Sequence, residues 1–240
     1  MNKNSHNEEK AMKYKTDLHC HTSEVSECAS ENLYDTVKKY IDCGYTSLAI
    51  TNHFEYIVYA GKRFNSDYKE YVDAHFDVID AAAEAGRGKL HVLPGVELKL
   101  NGSHNEYLVF GVTREILYDV PNIFDVGIEC AHDYFVSRGC LVIQSHPMRW
   151  DISLVRPQWI DGYEIKNTHP GHNGHNDIAE IIADRIGGPG KIRTAGTDHH
   201  DAYQIPDTGI LTDEPIKNGE DLVRILKSGE YEIFHEKRER

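Results

Sequence analysis

Apolar and polar positions along the chain switch repeatedly between a strand-like and a helix-like period. Short apolar runs at 47–51, 90–100, 140–144, 163–166 and 192–195 read as buried strands, each followed by polar residues. Between them, apolar residues recur three and four positions apart. The clearest such helix runs from Asp67 to Ala85, with Tyr71, His75, Val78, Ile79 and Ala82 on one stripe and Gly86 as its stop. Further helices are expected from Ser30 or Glu31 to Cys43, around Phe124 to Ser137, from Asp177 to Ile186 and from Glu220 to Lys227. Asn101-Gly102 is a hairpin signal, so Tyr107 to Val112 should fold back on the strand before it. Asp17-Leu18-His19-Cys20-His21 opens the series as a strand with two imidazoles on one face.

Strands alternating with helices at this spacing predict an α/β fold built on a parallel sheet. No glycine-rich phosphate loop follows the first strand, which sets aside an open dinucleotide-binding sheet in favour of a barrel. The 240 residues fit one domain, expected over 15–240 behind a polar, flexible lead at 1–14.

Composition narrows the function. With 40% hydrophobic residues and a mean hydropathy of -0.55, the chain has material for a core but no run long enough to span a bilayer. A net charge of -13, from 39 acids against 26 bases, argues against nucleic acid and anionic membrane as partners. The five cysteines lack CxxC spacing, as expected of reduced thiols in a cytoplasm.

The candidate chemistry lies at the strand ends. Besides His19 and His21, the segments Thr51-Asn52-His53, Gly95-Val96-Glu97, Ser145-His146-Pro147 and Thr197-Asp198-His199-His200 place metal-ligand residue types at or beside an apolar run. Five strand ends finishing this way point to one metal centre at the C-terminal face of a barrel.

These motifs, in this order, resemble those of the PHP family, the polymerase and histidinol phosphatase domain. The resemblance implies a distorted (β/α)7 barrel, a trinuclear centre of manganese, iron or zinc, and phosphoesterase activity. By that resemblance His19, His21, Glu97 and Asp198 would bind a first metal. Glu97 would bridge to a second with His146 and Glu106, His104 being the competing choice. His53, His200 and Glu27 would bind a third. Glu97 and Asp198 would thus be catalytic as well as ligating, with a hydroxide bridging two of the ions as attacking group. Asn52 stands where the family usually has Asp and would anchor a ligand imidazole through an amide oxygen.

The expected substrate is a small phosphomonoester, histidinol phosphate being one possibility. Arg149 is the first choice for contacting phosphate, with Arg63, Lys166 and Arg193 as weaker candidates. His199 should face away from the metals. His169, His172 and His175 lie in a loop that could cover the site or supply a proton. Trp150 and Trp159 are expected to pack beneath the active-face loops. A nuclease and a silent binding module of the same fold are the alternative readings.

Overall fold

The computed structural model describes residues 13–236 apart from 62 and 65, so most of the expected 1–14 lead lies outside the described residues. Tyr14 already opens the first strand, β1 (Tyr14–Asp17). It is followed by α1 (Leu33–Asp42), β2 (Ser47–Ile50), β3 (His53–Glu55), α2 (Tyr56–Tyr59) and α3 (Tyr68–Ala85). Next come β4 (His91–Lys99), β5 (Glu106–Phe110), α4 (Arg114–Tyr118), α5 (Ile128–Val136) and β6 (Leu141–Gln144). The chain ends with β7 (Gly162–Asn167), α6 (Asn176–Ile182), β8 (Ile192–Gly196), β9 (Thr208–Thr212), α7 (Gly219–Ser228) and β10 (Glu232–His235).

These strands form one sheet in the order β10-β9-β1-β2-β4-β5-β6-β7-β8, with β3 added beside β4. The sheet is mixed rather than parallel. β5 runs against β4 and β6, and β9 against β1 and β10. The reversal at β5 follows from the Asn101-Gly102 turn, where Gly102 sits at φ 77° and lets the chain double back with Leu98 opposite Tyr107. Beyond the ends of β1 and β8, a parallel bridge between Cys20 and His199 brings the two sides together and nearly closes a barrel. The ten-stranded topology does not confirm a count of seven strand–helix units.

Leu18, Ala49, Leu93, Leu108, Phe110 and Ile143 belong to an inner core, to which α7 adds Leu222, Ile225 and Leu226. A second core takes α1 and α3, the latter through the buried stripe Tyr71, His75, Val78, Ile79 and Ala82. Asp67 caps α3 by accepting the Glu70 N–H, and Gly86 follows its last turn. The helix expected around 124–137 is split. The Phe124 carbonyl accepts from Asn101 N, so α5 begins only after Gly127.

Candidate metal centre

The upward ends of the parallel strands and the start of the reversed β5 meet at one face. Glu106 opens β5, so its carboxylate arrives at the same end as Glu97 on β4. His19 and His21 follow β1, His146 follows β6, and Asp198 and His200 follow β8.

The donors converge tightly. His19 Nε2 lies 3.1 Å from His21 Nε2, 3.2 Å from Glu97 Oε1 and 3.3 Å from Asp198 Oδ1. His146 Nε2 stands 3.2 Å from Glu97 Oε1 and 3.4 Å from Glu106 Oε2. His53 Nδ1 is 3.0 Å from Glu97 Oε2, and His200 Nδ1 is 3.3 Å from Asp198 Oδ1. Four overlapping groups have ligand atoms within 4.8 Å of one another: His19, His21 and Asp198; His19, Glu97 and His146; His53, Glu97 and Glu106; and His21, His53 and His200. Eight of the nine expected ligands are thus brought together. Glu27 is the exception, exposed at the rim of the same cavity and outside these groups.

Surrounding side chains fix which nitrogen faces inward. His19 Nδ1–H donates to Glu164 Oε1 at 2.9 Å, and His21 Nδ1–H donates to Ser26 Oγ at 3.0 Å. Both rings therefore turn an Nε2 lone pair to the centre. Two such lone pairs 3.1 Å apart have no proton to share unless one ring is charged. Glu97 Oε1, His53 Nδ1 and His146 Nδ1 are buried and lack a hydrogen-bond partner among the described residues. Two like charges ~4 Å apart repel by about 4 kcal/mol at an effective dielectric near 20. Burying Glu97, Asp198 and Glu106 side by side therefore demands cations, and the donor set of imidazole nitrogens and carboxylate oxygens suits divalent ones.

Without them, protons take that place. Burial alone would raise the Glu97 and Asp198 pKa values, but the facing histidines, His19 foremost, hold both well below the carboxylate range. Burial likewise works against a charged His19, yet Asp198, Glu164 and Glu97 push its pKa well above 6.5. His200 is depressed to about 3, by burial and then by the neighbouring His21.

Backbone strain falls at the same place. His146 and Asp198 have φ of 27° and 51°, a left-handed region that side chains other than glycine avoid. Gly196 matters for a different reason. A Cβ there would lie 2.3 Å from the His19 Cβ, so only glycine lets β8 pass this close to the His19 side chain.

The donors open into a cavity of about 510 Å³, also lined by Lys99, Arg149, His169 and His172. Arg149 is where the sequence suggested, its guanidinium 3.9 Å from Glu106. Lys99, which sequence reasoning missed, donates to Glu106 Oε1 at 3.0 Å. Of the weaker candidates, Arg63 is bonded to the Glu24 carbonyl and Arg193 to Asp184, and neither they nor Lys166 line this cavity. His104 is excluded from the centre, exposed and paired with Asp151. His199 points away as expected, its Nε2 2.5 Å from Glu31 Oε2. His169 packs edge-on to His200 and 4.9 Å from His172, whereas His175 stands at the start of α6. Trp150 does not pack beneath the loops: it is 76% exposed. Trp159 does pack against the core.

Asn52 also acts differently from expectation. Its Oδ1 accepts from Thr22 N and Ser26 Oγ, and it reaches His21 only through Ser26. Glu164 was missed altogether. It orients His19, accepts the His146 N–H and takes a bond from Asn167, which itself donates to Asp198. Its one signal was an acid inside the otherwise apolar run around Tyr163.

Comparison with known families decides the relationship: the model of the PHP domain matches residues 17–205, from the first ligand motif to just past the last. The chain belongs to the PHP domain family. A crystal structure from Bacteroides vulgatus ATCC 8482, of a two-domain protein containing a predicted PHP-like metal-dependent phosphoesterase, superposes on this PHP domain with a TM-score of 0.66 at 15% identity. The match covers 93% of this chain and 65% of that one, so the chain spans about two thirds of the Bacteroides protein. A Bifidobacterium adolescentis ATCC 15703 structure, named by inference a metal-dependent phosphoesterase, matches at a TM-score of 0.47 and 15% identity. That match covers 89% of this chain and 96% of the other. Among the curated proteins none matches.

Proposed function

We propose that this PHP domain is a metal-dependent phosphoesterase that hydrolyses a small phosphomonoester. The observation that carries the reading is the buried convergence of His19, His21, Glu97 and Asp198 at the floor of an open cavity. By the family resemblance these four would hold one cation, Glu97 with His146 and Glu106 a second, and His53 with His200 a third. Divalent cations, when bound, supply Lewis acidity and lower the pKa of water to near neutrality.

The cavity's charge supports the same conclusion. It is lined by the carboxylates of Glu27, Glu55, Glu97, Glu106, Asp198 and Asp201 against only Lys99 and Arg149 as permanent cations. A phosphate dianion would be repelled from such a lining unless divalent ions offset it. Arg149 is the residue to clamp two phosphate oxygens, and Lys99 holds Glu106 in place beside it. Burial lowers the pKa of both His169 and His172, so they face substrate uncharged near pH 7.

A volume of about 510 Å³ suits a metabolite-sized ester, and two cations at its wall fall short of the basic track a polynucleotide needs. Histidinol phosphate is one member of that size class. The test is phosphate release from a panel of monoesters, with a diester as control, by manganese-loaded protein. Monoester turnover should fall about 100-fold or more in Glu97→Gln. Diester preference, or full activity in that variant, would refute the assignment.

A further inference from the structure

We propose that Tyr71, with His75 one turn further along α3, is a positioning residue for the cation ligand His53, its hydroxyl standing in for the neighbouring strand that β3 lacks. The proposal rests on the metal-dependent reading above and names what sets one of its ligands in place.

Among the described residues β3 is paired along one side only, with β4, where His53 stands opposite Glu97 and Glu55 opposite Lys99. On that side the Asn52 carbonyl accepts the Glu97 N–H, so the N–H and carbonyl of His53 and the N–H of Glu55 face the other way. Three side chains meet them there. Ser26 Oγ accepts the His53 N–H at 3.0 Å. The Tyr71 hydroxyl donates to the His53 carbonyl at 2.7 Å and accepts the Glu55 N–H at 3.1 Å. One phenol thus supplies both the donor and the acceptor that a paired strand would offer. His75 Nε2 makes a second contact with the same carbonyl, at 3.1 Å. Its Nδ1 faces the Tyr71 carbonyl at 2.9 Å, and a neutral ring has one N–H to give, so Tyr71 is the donor always available to His53.

The phenol is itself fixed. Tyr71 is fully buried, its ring parallel to that of Phe54 with centroids 5.1 Å apart, and 4.8 Å from that of Phe64. Since Phe54 is the middle residue of β3, ring and hydroxyl grip the same strand. Core packing alone accounts for the ring but not for two bonds from its hydroxyl to the backbone of a ligand-bearing strand. His53 is also shared by two of the ligand groups, one with His21 and His200 and one with Glu97 and Glu106. A shift of its backbone is therefore felt in both.

Manganese titration of the full chain, with bound ions counted by elemental analysis and free ions by paramagnetic resonance, tests the role. Tyr71→Phe keeps the ring and drops the hydroxyl. Tyr68→Phe is the control, because it removes a hydroxyl-to-carbonyl bond from the same helix, to Leu117 at 2.8 Å, away from the ligands. Tyr71→Phe should weaken by about 10-fold the ion that His53→Ala loses, and Tyr68→Phe should leave it at wild-type affinity. On a His53→Ala background, adding Tyr71→Phe should change nothing further at the remaining ions. Wild-type affinity in Tyr71→Phe overturns the proposal. So does equal weakening in Tyr68→Phe, or a further loss on the His53→Ala background, either of which marks a general structural role. A wild type that binds no manganese refutes the metal-dependent reading itself, and the proposal falls with it.

Discussion

Single side chains decide whether the centre is a metal site or a knot of protons. The pKa values of His19 and His53 stand well above 6.5 despite burial, so near pH 7 the cation-free protein carries protons that an incoming metal must displace. Metal affinity should therefore rise with pH through neutrality. Calorimetry at pH 7 in buffers of different ionisation enthalpy should show net proton release, and pH-independent affinity would contradict the assignment of these rings. Glu164 acts one step further out. Replacing it with alanine frees the His19 ring and the His146 backbone, and should weaken metal binding by about 10- to 100-fold while the fold persists. Gly196→Ala is predicted to be harsher, because its Cβ and the His19 Cβ cannot coexist at 2.3 Å. Overpacking of this kind costs roughly 1–3 kcal/mol in urea denaturation, and here it should also displace a ligand. Glu106 and Glu27 entered only through the family resemblance, whereas the residue types at His19, His21, His53, Glu97, His146, Asp198 and His200 were legible from sequence because each sits at or beside an apolar run. Glu164, Ser26 and Lys99 were not, since nothing in a chain of letters says which acid, hydroxyl or amine faces which ring.

At the scale of elements, legibility followed length. α3 spans 18 residues, enough for its buried stripe to repeat, and its observed bounds match the pattern to within a residue. α4 has five residues and β3 three, too few to show any period, and both escaped the reading. β9 and β10 were missed for a related reason. β9 is interrupted by Gly209, whose missing Cβ leaves room for the Thr16 carbonyl, and β10 is only half buried at the sheet edge. The one turn with a strong signature, Asn101-Gly102, was read correctly, and it does more than reverse the chain. By turning β5 around it delivers Glu106 to the ligand face. Gly102→Ala meets no neighbour within 4 Å, so its cost is the left-handed backbone alone, about 1 kcal/mol. Denaturation should register that loss with the metal count unchanged, whereas a lower count would mean that the hairpin register had slipped.

For the whole molecule, the sheet's near-closure is what makes distant motifs neighbours. The Cys20–His199 bridge joins the first and last ligand segments, which lie at opposite ends of the family match. Reading a parallel sheet with one hairpin at Asn101-Gly102 missed β9, which runs against β1 and β10, but did not misplace the site. A reversed strand presents its first residue at the same rim where parallel strands present their last. Carboxylates outnumber permanent cations in the lining of the cavity where divalent ions are expected to sit, so removing them with a chelator should lower the melting temperature and re-adding manganese or zinc should restore it.

The most direct measurement is an anomalous diffraction map at the metal edge from crystals of the metal-loaded protein grown with phosphate. Two or more peaks flanking the Glu97 carboxylate, one of them also touched by His19 and Asp198, with phosphate against Arg149, is the result predicted. Peaks elsewhere on the surface, or none at Glu97, would contradict the account.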